Sequence, residues 1–177
     1  LTKTGESEQP PLVAGKPQES ELYNLLLQPN ATDRMPQKTD PLPREEIALA
    51  TKLPGRFHGF EETIAGFEES RKNLGVEYVD LFLIHWPMPR IGRYLDSWRA
   101  MIQLRDDGLV RSIGVSNFTQ EHLTFIIQES GVVPAVNQIE LHPHFPQAAM
   151  RAFHAEHGIQ TESWTPLARQ RSVLDDP

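Results

Sequence analysis

The chain contains no cysteine among its 177 residues. Disulfide bonds and thiolate metal sites are therefore excluded, and a reducing compartment is compatible with this composition. The longest apolar runs are only as long as a β-strand, and no basic segment followed by an apolar one opens the sequence. We therefore expect no membrane span and no signal peptide, and we expect a cytoplasmic protein.

Positive charge is also scarce. The 17 Lys and Arg residues against 24 Asp and Glu give a formal net charge of −7, which argues against nucleic acid or an acidic membrane as a partner. Neither the G-x-G-x-x-G turn nor the P-loop Gly-Lys-Ser/Thr occurs. Since an open, doubly wound sheet usually carries a glycine-rich turn after its first strand, that arrangement is disfavoured.

Proline divides the chain into two parts. Residues 1–43 hold seven of the fifteen prolines and show no sustained hydrophobic period. Such a segment buries too little apolar surface to offset the entropy of ordering it. We predict that residues 1–43 are disordered or lie outside the folded domain, and that residues 44–177 form that domain.

Beyond this boundary, strand-like and helix-like segments alternate. Helical spacing predicts helices over residues 61–74, 94–105, 119–130 and 146–157, and apolar runs predict strands at 47–51, 80–84, 112–115, 133–137 and, more weakly, through Ile159. The β-α-β-α-β-α-β-α-β order is typical of a parallel sheet with right-handed crossovers. A complete eight-stranded α/β barrel needs about 250 residues, so we predict a partial (β/α)8 TIM barrel.

Each predicted strand stops at a residue that can do chemistry. These residues are Lys52, His85 with Trp86, Ser116 with Asn117, Gln138, and Trp164. In parallel α/β proteins ligands collect at the carboxyl ends of the strands, so we expect these side chains to share one cavity. Functional residues after every strand, rather than after two or three, favour the rim of a barrel.

His85 and Lys52 are the candidates for catalysis. His85 ends a fully apolar strand, so we expect its imidazole at the floor of a dry pocket, where a neutral N–H can orient a carbonyl. Lys52 would be a buried or half-buried ammonium. A histidine that only caps its strand and a lysine that extends to solvent are the alternatives that spacing leaves open.

Four further histidines are candidates for a metal site. His142, His144, His154 and His157 lie close together in the sequence. No carboxylate or cysteine cluster completes a usual ligand set around them, so we expect no metal.

Five segments carry a resemblance to a known family. Residues 50–53 (ATKL), 79–87 (VDLFLIHWP), 113–118 (IGVSNF), 137–143 (NQIELHP) and 162–167 (ESWTPL) resemble motifs of the aldo-keto reductases, in the family's order. The last segment has the form seen in bacterial 2,5-diketo-D-gluconate reductase-like members. The resemblance covers about residues 42–169 and implies strands 3 to 7 of the family's barrel.

The resemblance implies NADPH-dependent reduction of small aldehydes, ketones or keto-sugars. His85 would orient the carbonyl, and Lys52 would lower the pKa of a tyrosine that donates the proton. Ser116, Asn117 and Gln138 would hold the nicotinamide carboxamide, which offers one acceptor and two donors. The remaining implied roles belong to Trp164, which stacks on the nicotinamide, to Leu167, near the pyrophosphate, and to Trp86, in the substrate pocket. Ser116 and Asn117 also suit a turn, and Trp164 also suits a core position.

The family's Asp-Tyr segment, which supplies the proton donor, has no counterpart in this sequence. Tyr23-Asn24 is the nearest candidate, but Gln18 stands where the family has its Asp, and Leu26 stands where the family has an acid. The family's first two strands and its adenosine-phosphate segment are also missing. We therefore expect a truncated or rearranged chain with little activity, whose open sheet edges favour self-association.

Three alternatives remain at this point. One is a non-catalytic nicotinamide-binding or regulatory subunit on the same scaffold. Another is a barrel lyase or isomerase that uses Lys52 to form a Schiff base. The third is a chain that does not fold by itself.

Overall fold

A computed structural model describes residues 48–168. The strands are β1 (Ala50–Leu53), β2 (Val79–Ile84), β3 (Val110–Ser116), β4 (Val136–Glu140) and β5 (Gln160–Trp164). The helices are α1 (Phe60–Leu74), α2 (Tyr94–Asp106), α3 (Gln120–Ser130) and α4 (Ala148–His157), and a short 3-10 turn spans Gly55–Phe57. The segment 1–43 lies outside the described residues, and the boundary at residue 43 stays a prediction.

The five strands form one parallel sheet in the order β1-β2-β3-β4-β5. A helix connects each strand to the next, as neighbouring parallel strands need a crossover connection. The predicted partial (β/α)8 barrel is thereby confirmed. The parallel register puts the last residues of all five strands along one edge, with Lys52 opposite Leu83 and Ser116 opposite Gln138.

Local chemistry sets the helix ends. Thr119 caps α3: its hydroxyl accepts from the backbone N–H of His122, whose ring in turn bonds the Thr119 backbone N–H, and this reciprocal pair satisfies two otherwise unpaired donors. Gly131 then ends α3 with φ 70°, a left-handed conformation that glycine adopts without steric cost. Helix α4 begins at Ala148 rather than at residue 146, because Gln147 is itself left-handed, with φ 43°.

The strand boundaries differ from the apolar runs. Strand β1 begins at Ala50 and ends at Leu53, so that Lys52 lies inside the strand. Strand β4 runs from Val136 to Glu140 and contains Gln138. Pairing with a neighbouring strand, rather than apolar character, fixes these limits, because every residue of β1 has a partner on β2.

The core lies between the helices and the sheet. Phe67 of α1, Phe82 of β2 and Trp98 of α2 are each 0% exposed, and the rings of Phe67 and Phe82 lie 5.2 Å apart. Full burial of an apolar side chain of this size contributes about 1.5–3 kcal/mol. The indole N–H of Trp98 is satisfied by the Ser130 hydroxyl at 3.1 Å, so α2 and α3 are tied by a polar contact as well.

Among residues 48–168, no helix combines the length and apolarity that a bilayer crossing demands.

Candidate active site

A cavity of about 280 Å³ opens at the carboxyl ends of the strands. It is lined by Lys52, His85, Trp86, Ser116, Asn117, Gln138 and Trp164. All five strands therefore contribute to one rim, as the parallel topology predicts. Leu167 does not line this cavity and is 58% exposed. The fold assembles the side chains, while the chemical role of each stays a prediction.

Asn117 is the residue that ties the rim together. Its side-chain N–H₂ donates to the His85 carbonyl at 3.0 Å and to the Ser116 hydroxyl at 3.1 Å. Its side-chain oxygen accepts from the indole Nε1–H of Trp164 at 2.8 Å. Because the residue is left-handed, with φ 63°, the chain turns sharply after β3 and directs this amide across the strand ends. Asparagine tolerates that conformation better than most residues.

Ser116 and Gln138 join β3 to β4. The Ser116 hydroxyl donates to the Gln138 carbonyl at 2.9 Å, and the Asn117 backbone N–H donates to the same oxygen at 3.0 Å. The Ser116 hydroxyl thus stabilises the turn after β3. This is the turn role that the sequence left open for Ser116. The side-chain oxygen of Gln138 is buried without a hydrogen-bond partner among the described residues. A buried acceptor left unpaired costs about 1–3 kcal/mol, so this atom favours a ligand that brings an N–H.

His85 is not buried at the floor of a dry pocket, and that expectation was wrong. The side chain is exposed, because the five described strands form an open sheet that admits solvent on its inner side. Partial desolvation, followed by the positive charge of Lys52, lowers the pKa of His85 from its ordinary value of 6.5. The imidazole is therefore neutral at pH 7 and carries one N–H that can donate to a carbonyl oxygen.

No tyrosine of the described residues lies at this cavity. Tyr78 and Tyr94 are the two tyrosines between residues 48 and 168, and neither lines it. Tyr94 packs its ring against Phe118, with centroids 5.7 Å apart, and burial raises its pKa above the usual 10.0. A tyrosine that acts as a proton donor needs the opposite shift.

The histidines considered as metal ligands do not form a shared site. Over residues 48–168 no three His, Asp or Glu side chains are placed to hold one ion. His142 contacts the Glu140 carboxylate at 3.4 Å. His154 is fully buried between Asn137 and Thr161, a position that sequence reasoning missed. The available signal was Asn137, a polar residue on the helix-facing side of β4.

The chain resembles known proteins of one family in both sequence and fold. The family model for the aldo/keto reductase family matches residues 21–173, so the match begins upstream of the boundary drawn at residue 43. The 2,5-diketo-D-gluconic acid reductase B of Corynebacterium sp. is 59% identical over 133 residues, which is 75% of this chain and 48% of that protein. A crystal structure of an aldo/keto reductase from Brucella melitensis superposes with a TM-score of 0.72 at 50% identity, covering 77% of this chain and 52% of that one.

A crystallised variant of Gox0644 in complex with NADPH is similar as well, with a TM-score of 0.70 at 52% identity over 72% of this chain and 47% of that one. The chain thus spans about half the length of the relatives that it matches. The matched span includes every strand of the sheet and all residues of the cavity. On this evidence the chain belongs to the aldo-keto reductase family.

Proposed function

We propose that this chain forms the part of an NADPH-dependent reductase that binds the nicotinamide and the substrate carbonyl. The substrates would be small aldehydes, ketones or keto-sugars. One observation carries the proposal: seven of the residues singled out at strand ends line a single cavity, and one buried acceptor there, Gln138 Oε1, has no partner among the described residues. The similarity to a protein crystallised with NADPH supports the choice of cofactor.

The residues present fit a nicotinamide. Gln138 would accept from the carboxamide N–H₂ through its unpaired oxygen. Asn117 would not bind the carboxamide directly, because both ends of its amide are already paired. It would instead hold the indole of Trp164, which offers a flat apolar face for stacking. When bound, the cofactor supplies a hydride for the carbonyl carbon.

On the substrate side, His85 would donate its single N–H to the carbonyl oxygen and orient the carbon. Lys52 would place a positive charge near the oxygen, where negative charge develops. Trp86, which is 47% exposed, would form an apolar wall for the substrate. Leu167 would contact the pyrophosphate from outside the cavity.

We further propose that turnover is weak. The resemblance assigns the proton to a tyrosine, and the two described tyrosines lie away from the cavity. The second candidate function, a non-catalytic nicotinamide-binding subunit, rests on this same observation. A cytoplasmic location remains part of the proposal. Self-association does too, because among the described strands β1 and β5 each pair on one side only.

Fluorescence and absorbance together test the function. NADPH is titrated into the full chain while tryptophan emission is recorded, and NADPH oxidation is followed with a small aldehyde. We expect saturable quenching that decreases in Trp164→Phe, where Trp86 of the same cavity still contributes, and that persists in full in Trp98→Phe, because Trp98 is buried away from the cavity. We expect slow oxidation or none.

The two candidate functions and their rival give different results. Slow oxidation that His85→Ala abolishes supports a weak reductase, and saturable binding without oxidation supports the binding subunit. An absence of saturable quenching overturns both. Borohydride trapping with a carbonyl substrate separates the Schiff-base alternative, because a covalent adduct on Lys52 would contradict the reductase.

A further inference from the structure

A buried polar cluster lies behind the wall of the cavity. Asn137 of β4 and His154 of α4 are both 0% exposed. The side-chain nitrogen of Asn137 lies 3.0 Å from the Phe118 carbonyl and 3.0 Å from His154 Nε2. On the far side of the ring, His154 Nδ1 lies 2.8 Å from the Thr161 hydroxyl. The cluster thus links β4, α4 and β5 to the backbone that follows β3.

The partners of the cluster determine where its protons lie. The Phe118 carbonyl can only accept, so the atom of Asn137 that faces it must be the N–H₂ group. The second hydrogen of that group points at His154 Nε2, which must then accept. The ring proton is therefore on Nδ1 and is donated to the Thr161 hydroxyl. One arrangement satisfies all three contacts, and in it His154 is neutral.

This arrangement controls a residue of the cavity. Phe118 directly follows Asn117, whose left-handed turn presents its amide to Trp164 and to the His85 carbonyl. A proton on His154 Nε2 would face the N–H₂ of Asn137. Relieving that conflict by rotating the Asn137 amide would set its oxygen against the Phe118 carbonyl. That rotation would break the hydrogen bond from Asn137 to the Phe118 carbonyl, which anchors the turn.

We propose that His154 is a positioning residue for the cavity. Held as the Nδ1–H tautomer, it orients the Asn137 amide, which fixes the Phe118 carbonyl and through it the position of Asn117 and Trp164. The proposal rests on the proposed function for its relevance to cofactor binding. Its geometric part concerns the free protein and is independent of any cofactor.

Two nitrogen-15 measurements on the full chain test the geometric part. Long-range ¹H–¹⁵N correlation spectra at pH 7.5 report which ring nitrogen of His154 is protonated, and we expect Nδ1–H. Solvent exchange of the Trp164 indole N–H reports how firmly Asn117 is held. An Nε2–H tautomer, which exposed histidines favour, would overturn the proposal.

Variants separate positioning from general stabilisation. His154→Leu removes the acceptor for Asn137, so we expect the Trp164 indole N–H to exchange about tenfold faster or more, as the loss of one buried hydrogen bond commonly allows. His154→Gln keeps an acceptor and a donor on one side chain, and we expect it to restore most of the protection. Thr161→Val is a milder second variant that removes only the partner of Nδ1, and we expect an intermediate rate.

The matched control is Ile126→Val, which shortens a fully buried side chain of α3 outside the cluster. We expect this control to lower stability and to leave the Trp164 exchange rate in the native state unchanged. Equal exchange rates for Ile126→Val, Thr161→Val and His154→Leu would show a merely structural role and would refute the proposal. If the proposed function fails because NADPH does not bind, these exchange rates still decide whether His154 positions the turn.

Discussion

The indole Nε1–H of Trp164 donates a hydrogen bond of 2.8 Å to the side-chain oxygen of Asn117, which lies 47 residues earlier in the chain. The same asparagine donates to the carbonyl of His85 at 3.0 Å. The ends of β2, β3 and β5 are therefore linked through one amide. This link sets the orientation of the indole ring before any ligand arrives, so the entropic cost of ordering the ring on binding is reduced.

Asn117→Ala should weaken NADPH binding by about tenfold, because it removes the hydrogen bond that orients the Trp164 ring, together with the bonds to His85 and Ser116. Each such bond is worth about 0.5–1.5 kcal/mol. Titration of the tryptophan emission with NADPH measures the change. Asn73→Ala, which replaces an exposed asparagine near the end of α1, serves as the control and should bind like the parent chain. Unchanged affinity in Asn117→Ala would show that the link does not prepare the ring.

Lys52→Met should raise the pKa of His85 toward its ordinary value. The positive charge of Lys52 disfavours the imidazolium and is the second cause of the lowered pKa, after desolvation, so removing the charge leaves only the desolvation. A pH titration followed by NMR of the His85 ring measures the shift directly. Lys72→Met, on the distant end of α1, should leave the titration unchanged. A downward shift in Lys52→Met would contradict the assigned sign.

The sequence predicted the rim of the cavity better than its interior. Apolar runs ending at Lys52, His85, Asn117 and Gln138 were enough, because parallel strands with helical crossovers must bring their carboxyl ends to the same edge. The solvent exposure of the His85 side chain could not be predicted from such runs, because the exposure of a strand end depends on how far the sheet closes around it.

Hydrogen bonds between distant residues could not be predicted from the sequence pattern. The partner of the Asn117 side-chain oxygen is Trp164, and no local spacing connects the two. The sequence marks His154 only as a candidate metal ligand, because other histidines lie nearby in the chain. Its actual neighbours, Asn137 and Thr161, come from two different strands. Contacts of this kind are fixed by packing, and periodicity carries no information about them.

The chain should lose stability as the pH falls below about 6.5. Burial lowers the pKa of both His58 and His154 from the ordinary 6.5, with a further lowering of His58 by Arg93. Above pH 6.5 both residues are neutral in the folded and the unfolded chain, so their full contribution is present. Below pH 6.5 the two histidines take up protons in the unfolded chain but stay neutral in the folded chain. The free energy of unfolding therefore falls until the pH reaches the lowered pKa values of the folded chain.

Urea denaturation between pH 7.5 and 5.0 measures this effect. Each histidine contributes a slope of up to about 1.4 kcal/mol per pH unit in that window. His154→Gln cannot titrate and should reduce the slope by its own share, whereas Gln128→His, which adds a histidine on the surface of α3, should not change it. A stability that is constant over this range would mean that neither buried histidine is kept neutral by the fold.

Gly114→Ala should destabilise the sheet beside the cavity. A methyl group at this position of β3 would lie 2.6 Å from the Val136 carbonyl oxygen and 2.8 Å from Leu83 Cδ2. The leucine can rotate, but the carbonyl belongs to the backbone of β4, so β3 and β4 must move apart. Overpacking of this kind costs about 1–3 kcal/mol. Because Gln138 lies two residues after Val136, the displacement should also weaken NADPH binding. Ser112→Ala, two residues earlier on the same face, adds no atoms and is the control. Urea midpoints and NADPH titrations of the two variants should differ, and a Gly114→Ala chain as stable as Ser112→Ala would show that β4 yields without cost.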